Sequence, residues 1–133
     1  MSKNLETVLT LFKNYGEGNI EGFLSLLHPD AVWIEPGDES IPYSGSFTGL
    51  AELRRFLGIV SKNQHMNSFK VSNFCEGDNI VVALGKNEAT VFSTNKTYAT
   101  DWVYAFTFSD DKIIGVKVYM DTLIMSKANC QDQ

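Results

Sequence analysis

Cysteine and histidine are scarce in this chain of 133 residues, with two of each. Cys75 and Cys130 lack CxxC spacing and have no histidine cluster nearby. A zinc site, which draws three or four ligands from Cys, His and carboxylates, is therefore not expected, and the metal expectation is none. Cys75 falls in a predicted strand and is expected to be a buried thiol, whereas Cys130 lies in a polar tail. Clustered positive charge is missing too. Lys and Arg number 11 against 16 Asp and Glu, for a net charge of −5, and only Arg54-Arg55 are adjacent. A nucleic-acid binder shows a basic patch or stripe, so nucleic acid and anionic membranes are set aside as partners. No apolar run approaches membrane-spanning length. No basic segment followed by an apolar stretch opens the chain, so a secretory leader is not expected. A cytoplasmic protein with reduced thiols is the resulting expectation.

What is present is aromatic surface: nine Phe, five Tyr and two Trp in a chain that is 44% hydrophobic. A chain of this length is one domain by prior and can bury a core without staples.

Leu5, Val8, Leu9, Phe12 and Tyr15 recur at helical spacing up to Gly16. Asn19 is a candidate N-cap for a second helix carrying Ile20, Phe23, Leu24 and Leu27, which His28-Pro29-Asp30 end. A strand follows over 31–35 and breaks at Pro36. Residues 36–46, rich in Pro, Gly and Ser, read as a loop whose Ile41 and Tyr43 fold inward. Thr48 is a candidate cap for a third helix with Leu53, Phe56, Leu57 and Val60 on its inner face.

The remainder reads as four strands, over 69–75, 79–92, 97–108 and 113–121. Turns at Glu76-Gly77-Asp78, Thr94-Asn95-Lys96 and Asp110-Asp111 join them as antiparallel hairpins. Gly85 inside a long strand marks a bulge or bend. Three helices segregated onto a mainly antiparallel sheet make an α+β domain. Its expected limits are 1–125, with 126–133 a frayed polar tail.

The third strand of this meander alternates sharply. Tyr98, Thr100, Trp102, Tyr104, Phe106 and Phe108 share one face, and the other carries Ala99, Asp101, Val103, Ala105 and Thr107. The aromatic face is expected under the helices, as solid core or as a lined cavity. Glu35, the last residue before Pro36, points to the same side as Trp33. It is a candidate general base, a non-reacting pocket residue, or a solvated strand end.

The stretch "GEGNIEGFLSLLHPDAVWIEPGDESIPYSGSFTGLAELRRFL", followed by four strands, resembles the SnoaL-like and ketosteroid-isomerase-like proteins of the nuclear transport factor 2-like superfamily. The resemblance runs from Leu5 to Asp121. It implies a cone-shaped α+β fold in which a curved sheet wraps three helices around a deep apolar pocket, commonly as a homodimer. It also implies roles. Glu35-Pro36 matches the Asp-Pro base of ketosteroid isomerases, and their protonated Asp donor corresponds to Tyr104. Their first-helix Tyr donor falls near Leu11, which cannot donate. The cyclase Asp of the last strand corresponds to Val118. The acid and Arg positions of limonene-epoxide-hydrolase-like members correspond to Trp102, Tyr104 and Val118. Asp121 matches a frequent strand-terminal Asp outside the catalytic set.

These readings predict catalysis by Glu35 and Tyr104. The substrate would be bound by Phe12, Tyr15, Trp33, Tyr43, Phe47, Phe56, Trp102, Phe106, Val118 and Met120. The expected activity is that of an isomerase or cyclase abstracting a proton next to a carbonyl of a small hydrophobic molecule, with no cofactor. The alternative is a non-catalytic dimeric module that binds an apolar small molecule. A third option, a purely protein-interacting domain, predicts a pocket collapsed onto its aromatics. His65 is expected near the pocket mouth, His28 at a helix end, and Glu52 and Arg54-Arg55 on a solvated helix face.

Overall fold

In the computed structural model, which describes residues 2–131, three helices come early. Helix α1 (Lys3–Gly16) is capped by Ser2, whose hydroxyl accepts from the Leu5 amide at 3.0 Å. Its inner face buries Val8 and Leu11, while Leu9 stays 36% exposed. Asn19 caps α2 (Ile20–Ser25) as expected, its side chain accepting from the Gly22 amide. This helix is shorter than predicted. The segment His28-Pro29-Asp30, read as its terminator, lies inside strand β1 (Leu27–Glu35).

The loop after β1 brings Ile41 and Tyr43 into the core, as predicted, at 1% and 3% exposure. It then contains a strand that the reading missed, β2 (Gly45–Thr48), antiparallel to β1. Thr48 therefore ends a strand and does not cap α3 (Leu50–Asn63). The cap position is Gly49, whose φ of 87° favours a residue without Cβ. The Thr48 amide donates instead to the Glu52 carboxylate at 2.7 Å.

The meander is β3 (Gln64–Gly77), β4 (Ile80–Val91), β5 (Thr97–Ser109) and β6 (Lys112–Met120). Asn79, Asn95, Asp110 and Asp111 take positive φ at its turns, the conformation these short polar side chains tolerate best. Strand β3 starts five residues earlier than predicted, because it runs directly out of α3. Cys75, near its end, is exposed and not buried.

The sheet order is β2-β1-β6-β5-β4-β3, antiparallel except where β1 runs parallel to β6. The large residues of β5 face the helices. Tyr98, Trp102, Phe106 and Phe108 are all buried there, and Ala99 and Asp101 are exposed on the other side. Gly85 on β4 sits directly across from Trp102. A Cβ at Gly85 would lie 2.2 Å from the Lys70 carbonyl and 2.3 Å from Trp102 Cζ2. The glycine thus makes room for the indole, and the irregular register is on the facing strand, between Val71 and Asn73.

The segment after β6 is not a frayed tail in the described residues. It forms α4 (Thr122–Asn129), capped by Asp121, whose carboxylate accepts from the Ile124 amide. Met125 and Ala128 are buried, and the Thr94 hydroxyl donates to the Ala128 carbonyl at 2.6 Å. The helix closes one end of the curved sheet. No helix among the described residues is long and apolar enough to cross a membrane.

Candidate functional site

Strand alternation puts Trp33 and Glu35 on the inner face of β1, and Pro36 ends the strand there. Pairing of Glu35 with Gly45 of β2 fixes this strand end against the helical layer. The carboxyl of Glu35 is 6% exposed and accepts a hydrogen bond from the Trp33 indole Nε1 at 2.9 Å. Among the described residues Trp33 is its only hydrogen-bond partner. Burial penalises the charged form and outweighs the indole bond, so the pKa rises from 4.5 to about 7.

The carboxyl lines a cavity between the helices and the sheet. The cavity leaves about 50 Å³ for the centres of water-sized spheres. That is enough for a few waters or a compact group, so the hollow is real but small. Its wall is mostly apolar, built from Leu11 and Phe12 of α1, Phe23 of α2, and Phe56, Leu57 and Val60 of α3. Across the hollow lie Met66, Phe69, Met120 and Met125. Every described methionine of the chain is on this wall. Such unbranched side chains repack readily around an occupant.

Polar groups are few and converge. Tyr104 of β5 and Tyr15 of α1 both line the cavity and both interact with Glu35. Burial, followed by the Glu35 charge, pushes Tyr15 up to about 12 and raises Tyr104 well above its ordinary value. Both phenols therefore stay protonated donors at neutral pH. Neither hydroxyl has a hydrogen-bond partner among the described residues. A second group lies beyond them. The Tyr43 and Tyr98 hydroxyls each reach Gln64 Oε1 at 2.8 Å and stand 3.0 Å apart, next to Asn87.

Of the ten expected substrate-binding residues, six are on the wall: Phe12, Tyr15, Trp33, Tyr43, Phe56 and Met120. Four are not, for packing reasons. Phe47 lies against the Phe56 ring at 4.9 Å, on the side away from the hollow. Trp102 stacks on Phe69 at 4.9 Å and also touches Phe12, and those two rings stand at the wall in its place. Phe106 meets Phe12 edge-on at 5.8 Å. Val118, cross-strand from Tyr104, is 2% exposed and off the wall. Tyr15, one turn beyond Leu11 on α1, brings a phenol to the cavity wall.

Gln64, Asn87 and Met125 escaped the sequence reading. Asn87 was findable as the one polar residue in the inward row Val81, Ala83, Gly85, Asn87, Ala89 and Val91 of β4. Met125 was hidden by reading its segment as a tail. His65 is exposed on a broader groove of about 780 Å³, on the same measure, that adjoins the cavity and shares Phe12, Tyr15 and Phe69 with it. His28, expected at a helix end, sits in β1, where its Nδ1 accepts from the Asp30 amide. Arg54 pairs with Glu21, and Arg55 lies over the Phe47 ring. No group of three His, Cys, Asp or Glu among the described residues is placed to hold a metal.

The same architecture recurs in solved structures. An NTF2-like protein from Burkholderia xenovorans LB400 matches at 30% identity and TM-score 0.88, over 96% of each chain. TerC, co-crystallised with polyporic acid, matches at 28% identity and TM-score 0.87, over 96% of this chain and 98% of that one. A Bacillus subtilis protein named as a proposed isomerase shares the fold at 20% identity and TM-score 0.81, over 98% and 96%. A search among curated proteins found no match. The SnoaL-like domain model matches residues 8–116, which carry β1 to β5, the start of β6 and most of the cavity wall with Glu35, and the chain belongs to that family.

Proposed function

We propose that this protein abstracts a proton next to a carbonyl of a small hydrophobic molecule, as an isomerase or cyclase that needs no cofactor. The observation that carries the reading is the Glu35 carboxyl, buried in an apolar hollow with its pKa near 7 and facing two unengaged phenols. A base works best when its pKa lies near the operating pH. The Glu35 carboxylate takes the α-proton, and the C–H electron pair moves into the carbonyl to form an enolate. Tyr104, with Tyr15 beside it, donates to the enolate oxygen as charge develops. Return of the proton at another carbon gives an isomer, and attack of the enolate carbon on a second carbonyl gives a ring. The co-crystallisation of TerC with polyporic acid supports a small-molecule occupant for this fold.

One observation favours a second reading, a non-catalytic binding module. Among the described residues Glu35 is the only charged side chain on the cavity wall, and none of them brings a second carboxyl to it. Exchange of α-hydrogens for deuterium in 1-tetralone, followed by NMR in D₂O, separates the two. Catalysis predicts that the protein accelerates exchange and that Glu35→Gln loses about 100-fold or more of the acceleration. Equal rates for the two proteins overturn the catalytic role.

A further inference from the structure

The polar group that Tyr43, Gln64, Asn87 and Tyr98 form on the cavity wall is incompletely bonded. Asn87 is 3% exposed, and its Oδ1 is a fully buried acceptor without a partner. Its Nδ2 meets only the Met66 sulfur, at 3.2 Å, and the Tyr98 hydroxyl. Turning the amide over would exchange acceptor for donor at the same place without satisfying it. Buried polar atoms are almost always bonded, so an exception calls for an occupant. Beside it, Gln64 uses Oε1 to hold both the Tyr43 and Tyr98 hydroxyls, and its Nε2 has no partner among the described residues. Both amides contact the Tyr98 hydroxyl and both line the hollow, so a spare acceptor and a spare donor stand on one wall.

From this juxtaposition we propose that Asn87 and Gln64 form a hydroxyl-binding subsite, making the substrate a small ring ketone that also carries a hydroxyl. A hydroxyl fits both spare valences, since it donates to Asn87 Oδ1 and accepts from Gln64 Nε2. A plain hydrocarbon ring would leave the Asn87 oxygen desolvated and unpaired. This subsite rests on the proposed function in one respect: Glu35 and the phenols of Tyr15 and Tyr104 fix which end of the ligand holds the carbonyl.

Calorimetric titration of the unmodified protein with 1-tetralone and 6-hydroxy-1-tetralone tests it. The two differ by the one hydroxyl. The hydroxylated ketone is expected to bind at least about tenfold tighter. In Asn87→Leu the preference is expected to fall to within about twofold. Equal affinity of the parent for the two ketones, or a preference that survives Asn87→Leu, overturns the subsite. Binding of neither ketone overturns it together with the pocket reading beneath it. Loss of deuterium exchange in Glu35→Gln concerns the base alone and leaves the hydroxyl preference intact.

Discussion

At the scale of the residue, Glu35 sets the behaviour of the site through the cost of its own burial. Desolvation raises its pKa from 4.5 to about 7, and the indole bond from Trp33 offsets only part of that. The folded state therefore holds this proton more tightly than the unfolded chain does. Stability from this group is present at low pH and is lost as pH rises from 4.5 to about 7, with a total near 3 kcal/mol. Glu35→Gln keeps an acceptor for the indole and cannot ionise. It is expected to match the parent at pH 4 and to exceed it by about 3 kcal/mol at pH 8, read from denaturant melts. A gap that does not change with pH would contradict a buried, titrating carboxyl. The α-exchange rate should rise with a midpoint near pH 7, because only the carboxylate of the folded protein accepts the proton. Much of this was legible in advance. Side-chain alternation placed Glu35 beside Trp33, and Pro36 marked the strand end. Alternation along β4 could equally have exposed Asn87, but attention to acids and aromatics passed over a neutral amide.

At the scale of the element, the close fit of β4 to β5 positions the aromatic wall. Gly85 lets the Trp102 indole lie against the sheet, where it stacks on Phe69 and supports the ring that faces the cavity. Gly85→Ala drives a methyl group into the Lys70 carbonyl, a backbone atom that cannot swing away. The variant is expected to lose about 1–3 kcal/mol in denaturant unfolding and to change the near-ultraviolet signal of Trp102. Unaltered stability would show that the strands relax freely. The periodicity of β5 was readable because aromatic residues occupy every second position from Tyr98 to Phe108 except Thr100. Strand β2 and helix α4 were not readable. The four residues of β2 are Gly, Ser, Phe and Thr, and they become a strand by pairing with β1. Helix α4 has only Met125 and Ala128 to bury; its Asp121 cap is local, but the packing on β5 that orders it is tertiary in origin.

At the scale of the whole molecule, the curved sheet has two faces with different tasks. The inner face and the helices enclose the hollow, and a broader groove that shares wall residues with it adjoins. The outer face carries a row in which Leu84 and Tyr119 flank Val103, with exposures of 36% and 50% for the outer two, and Ile34 nearby at 38%. This apolar row is expected to meet the same row of a second copy. Sedimentation equilibrium at micromolar concentration should give twice the 14.8 kDa chain mass, and Tyr119→Lys should return it to one. A parent protein that sediments as a single chain would remove the dimer from the account. The most direct measurement of whether the fold holds this acid out of water is an NMR titration of the Glu35 side-chain carboxyl carbon. The account predicts a midpoint near 7; a midpoint at the ordinary value of 4.5 would mean a solvated carboxylate and no tuned base.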